Sequence, residues 1–473
     1  METKNESCES CESRVDLIKT DPKKAILKLF PTMMLFMVLM MGYMLIDTIW
    51  IAGLGYDAIA ASGFVSPIYM IMIGVGMGLG TGAISLISRS IGEENRSKAN
   101  NVALHSILIS TIISIALTIV FVVFLKDILI LIGAKSVLTP AMEYGLVIFI
   151  GTFPFIINLL LSSILRAEGD AKNPTYAMIA VAVINIVLDP VFIYSFNIGI
   201  AGAAVVTVLG SVAANCYMLY WILVKKNSYI SFNIKDFKFN LSIIKEILNV
   251  SLPISLEEMM LSFSTLLMNT MLVIAGGSMA VAVYTATWKI FSLSLLPAMS
   301  IESAVLTVAG VAIGAKNFKN LEISSNYGIK IGVVLGGILA VLSFVFAPQL
   351  AYLFSYSFSD PALVNGVVEL IRILAVVTIA VPFGMVSTAI FQGAGKGVTS
   401  FMLNFTRDIF FVLISAYILG FILGLGTIGI YFGIAIGFIV GSIVNYICYR
   451  IYLSKLKEEK DLFYKDTVSQ VNS

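Results

Sequence analysis

Apolar stretches of about twenty residues or more recur along this chain from Ile26 to Tyr452, separated by short polar segments. A helix of about 20 residues crosses the roughly 30 Å hydrocarbon core of a bilayer. The pattern therefore predicts about twelve transmembrane helices. The first six lie near residues 25–52, 58–87, 97–125, 141–166, 172–195 and 200–224, and the second six near 245–275, 279–313, 321–348, 361–392, 397–423 and 428–454.

Composition supports an all-α integral membrane protein. Hydrophobic residues make up 59% of the 473 positions and charged residues only 12%, and the mean hydropathy is +0.97. A soluble domain carries about 25% charged residues, so this chain cannot cover itself with a polar surface. The net charge of +2 favours no nucleic-acid partner, and many spans follow the first, which is therefore not a cleaved signal.

Polar segments divide the chain into domains. We expect a disordered cytoplasmic tail at 1–22, a six-helix lobe at 23–224, a cytoplasmic linker at 225–244, a second six-helix lobe at 245–455 and a cytoplasmic tail at 456–473. Cys8 and Cys11 form a C-x-x-C motif in the acidic, Ser-rich first tail. A structural metal site needs about four ligands, so disorder is the preferred interpretation, with a metal or redox role as the alternative.

Lysines and arginines predict the orientation of the spans. If the N-terminus is cytoplasmic, nearly all the basic residues of the connections fall inside, and only Lys126 and Lys135 fall outside. This distribution follows the positive-inside rule. It places both termini in the cytoplasm and supports an even number of spans.

The two halves of the chain are related in sequence. A shift of 222 positions pairs prolines, threonines, glycines and asparagines without a gap: Pro31 with Pro253, Thr48 with Thr270, Gly55 with Gly277 and Asn95 with Asn317. Six helices per half make this a parallel repeat about an axis along the membrane normal. Repeat-built membrane proteins with a cleft between their halves are typically secondary transporters.

A nucleotide site is the sequence feature that an ATP-driven pump would need. The nearest candidate is the run Gly393–Gly397, but Ile390 stands where a phosphate-binding loop requires its first glycine. The run is interpreted as a Gly-rich turn at a helix end. We therefore expect a transporter driven by an ion gradient, without enzymatic activity or an organic cofactor.

Two aspartates inside predicted spans are the main functional candidates, because an ionisable residue within the membrane is costly. Asp47 and Asp189 both lie roughly 25–30 Å from the cytoplasmic ends of their helices at 1.5 Å per residue. Asn185 shares a helix face with Asp189, Thr207 reaches a similar depth, and Pro190 frees a backbone carbonyl. Such an oxygen-rich pocket suits Na⁺ or a shared proton, whereas the alternative is helix packing through polar partners.

The second half carries its charges elsewhere. The repeat counterpart of Asp47 is Asn269, which cannot titrate. Glu258 lies near the start of a helix, where it can favour the helix dipole, and Glu302 can bind cationic substrate or pair with another helix. His105, the only histidine, is interpreted as structural. Two pairs are expected to be local ion pairs at the membrane edge or a cavity wall: Arg407 with Asp408 and Glu369 with Arg372.

Several motifs together resemble the multidrug and toxic-compound extrusion (MATE) family over residues 25–450. They are Asp47-Thr48-Ile49-Trp50-Ile51-Ala52-Gly53-Leu54-Gly55 with Ala58-Ile59-Ala60-Ala61, then Arg166–Pro174 with Asn185 and Asp189, then Gly199–Ala204, and Gln392-Gly393-Ala394-Gly395 in the second half. The resemblance implies a V-shaped pair of six-helix lobes that exports organic cations or other amphipathic toxic compounds against Na⁺ or H⁺.

The resemblance also implies roles for individual residues. In archaeal and related bacterial members the cation site lies in the first lobe, and its roles fall here on Asp47, Asn185, Asp189 and Thr207. Na⁺ would bind at Asp47, Asn185 and Asp189, and Pro31 could let the first helix bend. No second-lobe acid clearly matches the members that couple there. The weaker candidates for a substrate-lining role are Tyr43, Asn158, Asn269, Glu258 and Glu302.

Other functional hypotheses compete with that of a drug/ion antiporter in the cell membrane. A lipid-linked precursor flippase of the same superfamily should carry a strongly cationic cleft for pyrophosphate. Only three basic residues, Lys289, Arg372 and Arg407, could contribute to one here. A channel or a scaffold is disfavoured by the duplication and the buried acids. The expected partners are amphipathic small molecules and the lipid bilayer, and the chain is expected to be a monomer.

Overall fold

The computed structural model describes residues 2–232, 237–355 and 361–471, and in these residues the chain forms helices without β-strands. The first eight helices are α1 (Glu2–Thr20), α2 (Pro22–Ala52), α3 (Tyr56–Gly92), α4 (Arg96–Leu131), α5 (Leu138–Ile150), α6 (Thr152–Ala167), α7 (Lys172–Pro190) and α8 (Ile200–Leu219). A 3₁₀ turn, Ala134–Val137, precedes α5. Short π-helical segments extend α7 over Val191–Ser195 and α8 over Tyr220–Val224.

The remaining helices follow the linker. They are α9 (Leu241–Gly314), α10 (Phe318–Val345), α11 (Ala347–Ser355), α12 (Pro361–Ala375), α13 (Val377–Gly393), α14 (Gly397–Phe405), α15 (Ile414–Tyr417) and α16 (Gly426–Val471). Two π-helical segments, Thr406–Leu413 and Ile418–Ile422, join α14 and α15 into one continuous span.

The described helices provide the predicted twelve membrane crossings. Nine are individually long and apolar enough to cross a bilayer, and two bent pairs add one crossing each. The pairs are α5 with α6, bent by 47°, and α12 with α13, bent by 50°. Helix α9 supplies two crossings, because its 74 residues are interrupted by non-helical backbone at Gly277. The prediction of an all-α membrane protein of twelve spans is confirmed.

The repeat is visible in backbone conformation as well as in sequence. Gly55 and Gly277, paired by the 222-residue shift, both have positive φ, 103° and 69°, at the break between the first two spans of each half. Glycine adopts this conformation at little steric cost. Asn95 and Asn317 are both helix N-caps whose side chains accept a backbone N–H bond. The glycine and asparagine identities of the shift therefore mark helix breaks and helix starts, whereas the proline and threonine pairs lie within helices.

By internal contacts the chain forms two compact units. The first comprises Met1–Thr20 and Leu27–Glu258, and the second comprises Asp21–Ile26 and Met259–Ser473. They are called the first and second lobe below. By these contacts, α9 up to Glu258 packs with the first unit and Asp21–Ile26 with the second, whereas the predicted lobe bounds of 23–224 and 245–455 remain a prediction.

Glycines on α3 explain where this boundary falls. A Cβ atom at Gly78 would lie 2.2 Å from the Ser255 hydroxyl oxygen, and one at Gly82 would lie 2.1 Å from that of Ser251. These glycines are four residues apart and so share one helix face. The first turns of α9 can therefore approach α3 closely and pack as part of the first lobe.

The N-terminal segment differs from the prediction of a disordered tail, because residues 2–20 form helix α1. Cys11, Val15 and Ile18 are each less than 5% exposed, so one face of the helix is buried. Its polar composition suggested disorder, but those three positions form an apolar stripe at helical spacing. The Cys11 thiol donates to the Asn227 amide oxygen at 2.9 Å, and the Cys8 side chain lies outside the described residues.

Candidate functional site

Asn185 and Thr207 form a hydrogen-bonded link between α7 and α8. The Thr207 hydroxyl donates to the Asn185 amide oxygen at 3.4 Å and to the Ala203 carbonyl oxygen, one turn earlier on α8, at 3.1 Å. The Asn185 amide nitrogen donates to the Val181 carbonyl at 2.8 Å. Asn185 is fully buried and Thr207 is 9% exposed. The bond places Thr207 beside Asn185, which lies one helical turn before Asp189.

Asp47 on α2 and Asp189 on α7 bring two carboxylates to the same region of the first lobe. They are close enough to interact electrostatically. Asp189 is fully buried, and in the described part of the chain neither of its oxygens has a hydrogen-bond partner. One oxygen of Asp47 is also buried without a partner. Buried carboxylate oxygens are normally hydrogen-bonded or paired, so this pair can accept a positively charged ligand.

The end of α2 is anchored next to α7 by an aromatic contact. The Tyr194 hydroxyl, in the π-helical segment after Pro190, donates to the Trp50 carbonyl at 2.7 Å. The rings of Trp50 and Tyr194 also meet edge to face, with centroids 6.3 Å apart. Because Trp50 lies three residues after Asp47, this contact fixes the turn of α2 that carries the carboxylate.

Close approach of α8 to α7 depends on Gly210. A Cβ atom at this position would lie 3.1 Å from the Asn185 amide nitrogen and 3.3 Å from a methyl of Val181. Both distances are tighter than ordinary van der Waals contact. The glycine therefore leaves space for the Asn185 side chain to keep its orientation.

Three tyrosines extend the site on the side of α2, α3 and α5. Tyr43, one helical turn before Asp47, is hydrogen-bonded to Tyr69. Tyr144 lies within electrostatic range of Asp47, Tyr43 and Asp189. Of the three, only Tyr43 was predicted from the sequence, and it shares the helix face of Asp47. Tyr69 and Tyr144 were missed, because they lie on other helices and no spacing rule links them to the aspartates.

For the other four weaker candidates, the structure shows no contact with this group in the described residues. Asn158 is half-buried on α6 and, in the described residues, has no hydrogen bond to the aspartates. The Glu258 side chain packs near Gly74 of α3. A Cβ atom added at Gly74 would lie 2.8 Å from the Cβ atom of Glu258. Glu302 and Asn269 are half-buried in the second lobe, and the Asn269 amide oxygen is buried without a partner.

The two predicted ion pairs of the second lobe behave differently. Arg407 and Asp408 are paired as predicted through two hydrogen bonds of 2.8 and 3.1 Å. Glu369 and Arg372 are not paired in the described structure, which corrects the second prediction. Arg372 instead lies over the Phe344 ring, 5.3 Å from its centroid, and both charged residues line a cavity.

His105 has a structural environment, as expected. Its Nδ1 lies 2.8 Å from the Asn101 carbonyl oxygen, and its Nε2 accepts the Asn240 backbone N–H at 3.0 Å. A carbonyl can only accept, so Nδ1 carries the proton and the ring is neutral. The histidine thereby ties the linker to α4.

The donor set fits a small hard cation or a proton. In the described residues, no group of three or more His, Cys, Asp or Glu side chains could hold a metal ion. A cation bound here would therefore use oxygens from the two carboxylates, the Asn185 amide and the Thr207 hydroxyl. Hard cations prefer oxygen ligands, and the unpaired oxygens of Asp47 and Asp189 supply the opposite charge.

Comparisons with known proteins agree with this architecture. The MatE family model matches residues 32–191 and again 253–418, one match in each half. The probable multidrug resistance protein YoeA of Bacillus subtilis is 28% identical over 64% of this chain and 66% of its own length. The multidrug export protein MepA of Staphylococcus aureus is 24% identical over 72% of this chain and 74% of its own length.

Solved structures extend the similarity to almost the whole chain. A crystal structure of MATE in complex with MaL6 has a TM-score of 0.91 and 37% identity, over 94% of this chain and 99% of that one. The structure of an outward-facing multidrug resistance MATE transporter of the MOP superfamily has the same TM-score and sequence identity. This match covers 94% of this chain and 98% of that one. The MATE structures have twelve helices in two lobes. This chain is a member of the MATE family of transporters.

Proposed function

We propose that this protein is a secondary antiporter that exports organic cations or other amphipathic compounds in exchange for Na⁺ or H⁺. The observation that carries the proposal is the pair Asp47 and Asp189, whose buried oxygens have no partner in the described structure. Two neighbouring carboxylates in a low-dielectric region repel each other, so they favour a bound cation or a proton.

The coupling ion would connect three helices of the first lobe. Asp47 would contribute from α2, Asn185 and Asp189 from α7, and Thr207 from α8. A bound ion would attract both carboxylates and hold the three helices together. Without the ion, the two carboxylates would repel each other. The ion would therefore bind one arrangement of the lobe better and shift the population toward it.

The tyrosines beside the carboxylates suit an amphipathic cationic substrate. Aromatic faces attract cations and provide apolar contact area, and Tyr43, Tyr69 and Tyr144 lie close to Asp47. A substrate cation and the coupling ion would both be stabilised by the same negative charge. Binding of one then weakens binding of the other, and this reciprocal linkage is what antiport requires.

We further propose that the protein works as a monomer in the cell membrane with both termini in the cytoplasm. The distribution of lysines and arginines supports this orientation, because the connections assigned to the outside contribute only Lys126 and Lys135. The cytoplasmic side of bacterial and other cell membranes retains basic loops.

A lipid-linked precursor flippase is less well supported. Its pyrophosphate substrate would need several uncompensated basic residues. Of the three candidates, Arg407 is neutralised by Asp408, and the remaining two, Arg372 and Lys289, are too few for a strongly cationic cleft.

Transport of a fluorescent cation by purified protein in proteoliposomes tests the proposal. Wild type should extrude ethidium when a Na⁺ or a pH gradient is imposed, and the effective gradient identifies the coupling ion. Asp47→Asn should abolish this transport, whereas Asp57→Asn, at an exposed acid of α3, should leave it intact. Gradient-independent movement of the dye in wild type, or full coupled transport by Asp47→Asn, would reject the antiporter.

A further inference from the structure

The second lobe contains a cavity that the proposed ion coupling does not use. Its volume is about 630 Å³, within the range of pockets that bind small molecules. It lies among α10, α12 and α16, close to the 50° bend between α12 and α13. Of its eleven lining residues, those that decide its chemistry are Phe344, Asn365, Glu369, Arg372, Ile436 and Ile439.

Opposite charges share one wall of this cavity. Glu369 and Arg372 are three residues apart on α12 and therefore lie on the same helix face. Each is exposed to the cavity. Residues at this spacing commonly form an ion pair, yet in the described structure these two do not. Arg372 packs its guanidinium over the Phe344 ring instead, 5.3 Å from the ring centroid.

An uncompensated charge in a membrane span is costly, and such residues mark binding sites or transport pathways. Here one wall presents an anion and a cation side by side without a direct ion pair between them in the described structure. A ligand that satisfies both must carry a positive group for Glu369 and a negative group for Arg372. A purely cationic ligand would leave Arg372 unpaired, and a purely anionic ligand would leave Glu369 unpaired.

The other walls require an apolar body. Eight of the eleven lining residues are apolar, and Asn365 is the single uncharged polar one. Ile436 and Ile439 are three residues apart on α16, so they form an apolar strip on one helix face. The stacked Phe344 ring covers part of the Arg372 guanidinium and leaves its hydrogen-bond donors at the edge for an anion.

We propose that this cavity binds a zwitterionic amphiphile: a molecule with an ammonium group and a phosphate or carboxylate close together, attached to an apolar chain or ring system. The ammonium group would lie against Glu369. The anionic oxygens would accept bonds from the Arg372 guanidinium, which suits phosphate and carboxylate geometry. The apolar part would lie along α16. The site is separate from Asp47 and Asp189, so its test measures binding rather than transport.

Photocrosslinking with competition tests this assignment on the full chain in non-ionic detergent. The probe is dodecylphosphocholine with a diazirine in its alkyl chain, and the crosslinked peptides are located by mass spectrometry. Three competitors share the same dodecyl tail: dodecylphosphocholine, dodecyltrimethylammonium and dodecyl phosphate. Wild type should crosslink on α12 or α16, and the zwitterion should compete at least about tenfold better than either singly charged amphiphile, equivalent to 1.4 kcal/mol.

Two conservative variants make opposite predictions about the head group. In Arg372→Gln, dodecyltrimethylammonium should compete as well as the zwitterion, since the phosphate has lost its partner. In Glu369→Gln, dodecyl phosphate should compete as well as the zwitterion, since the ammonium group has lost its partner. Lys289→Gln, at an exposed basic residue of the same lobe, should retain wild-type selectivity. Head-group-independent competition in wild type, crosslinks elsewhere, or unchanged selectivity in both variants would overturn the proposal.

The natural ligand can be a membrane lipid or a soluble compound, and the same assay separates them. Phosphatidylethanolamine in mixed micelles and a soluble zwitterionic fluoroquinolone are added as competitors. Displacement by the lipid alone assigns the cavity to a lipid head group, and displacement by the fluoroquinolone alone assigns it to a soluble amphiphile. If neither displaces the probe, the proposal fails, because both carry the required charges on an apolar body.

Discussion

The hydroxyl of Thr207 on α8 donates to the amide oxygen of Asn185 on α7 at 3.4 Å. This bond joins two helices next to the unpaired oxygens of Asp189, which lies one turn beyond Asn185. Both side chains direct oxygen atoms toward the same part of the first lobe. The pair thus supplies neutral ligands where the two aspartates supply charge.

Replacing Thr207 should weaken ion coupling without removing charge. Thr207→Val keeps the shape of the side chain but loses one oxygen, whereas Thr207→Ser keeps the oxygen. A neutral hydrogen-bonding group contributes about 0.5–1.5 kcal/mol, so the half-saturating ion concentration should rise by up to about tenfold in Thr207→Val. The measurement is dye efflux against ion concentration. Equal ion dependence in wild type and the valine variant would contradict a role for this oxygen.

Gly210 should be sensitive to size although it carries no functional group. Gly210→Val would place methyl groups against Asn185, because even a Cβ would come within 3.1 Å of its amide nitrogen. We expect ion-driven efflux to fall at least about tenfold while the protein remains in the membrane. Gly63→Val is the matched control, since a Cβ there meets nothing within 4 Å. Similar losses in both variants would show a general helix effect rather than displacement of Asn185.

The Arg407–Asp408 pair should dominate stability in its part of the second lobe. Both side chains are largely buried, with 11% and 4% exposure. Removing one member of a buried pair typically costs about 3–5 kcal/mol, whereas an apolar replacement of both is often tolerated. Asp408→Asn should therefore lower the melting temperature in detergent, and Arg407→Met with Asp408→Leu should recover most of the loss. A neutral effect of Asp408→Asn would contradict the buried pair.

Stability of the folded protein should depend on pH through Glu168, which follows the end of α6. Burial, together with the nearby Asp170 carboxylate, raises the pKa of Glu168 to about 7. Its carboxylate accepts bonds from the Ser228 hydroxyl and the Ile230 backbone N–H, and Arg14 of α1 lies 4.0 Å away. The folded protein holds this proton more tightly than the unfolded chain, whose glutamate titrates near 4.5. The stabilisation is therefore complete below about pH 4.5 and is lost as the pH rises through about 7.

Thermal unfolding in detergent measures this effect. The melting temperature should be lower at pH 8 than at pH 6 in wild type. Glu168→Gln cannot ionise and should show no such difference. The opposite order in wild type, or an unchanged difference in the glutamine variant, would exclude Glu168 as the titrating group.

Much of the fold could be predicted because membrane physics acts on each segment separately. The apolar stretches and the repeat gave the twelve spans, and the glycines at 55 and 277 marked equivalent helix breaks. Asp47, Asn185, Asp189 and Thr207 could be grouped because charges and their polar neighbours are rare inside spans. Their role as one ion-coupling site remains a prediction; the structure shows the Asn185–Thr207 bond and the electrostatic interaction of Asp47 with Asp189.

Features that depend on contacts between distant segments could not be predicted. Tyr69 and Tyr144 have no periodic relationship to Asp47, so only the packing of α3 and α5 brings them near it. Ser251 falls in the predicted second lobe, but its close approach to Gly82 groups it with the first unit. Spacing alone suggested an ion pair between Glu369 and Arg372, yet the Arg372 guanidinium lies over the Phe344 ring. In each case the outcome depends on a tertiary contact that local spacing does not encode.

The most direct test of the account is ion movement driven by substrate in proteoliposomes. An imposed ethidium gradient, with no ion gradient, should drive Na⁺ or H⁺ in the opposite direction in wild type, detected with ²²Na⁺ or a pH-sensitive dye. We predict that Asp47→Asn and Asp189→Asn each abolish this ion flux, and that Asp57→Asn preserves it. Normal substrate-driven ion flux in a protein that lacks both first-lobe carboxylates would contradict the account.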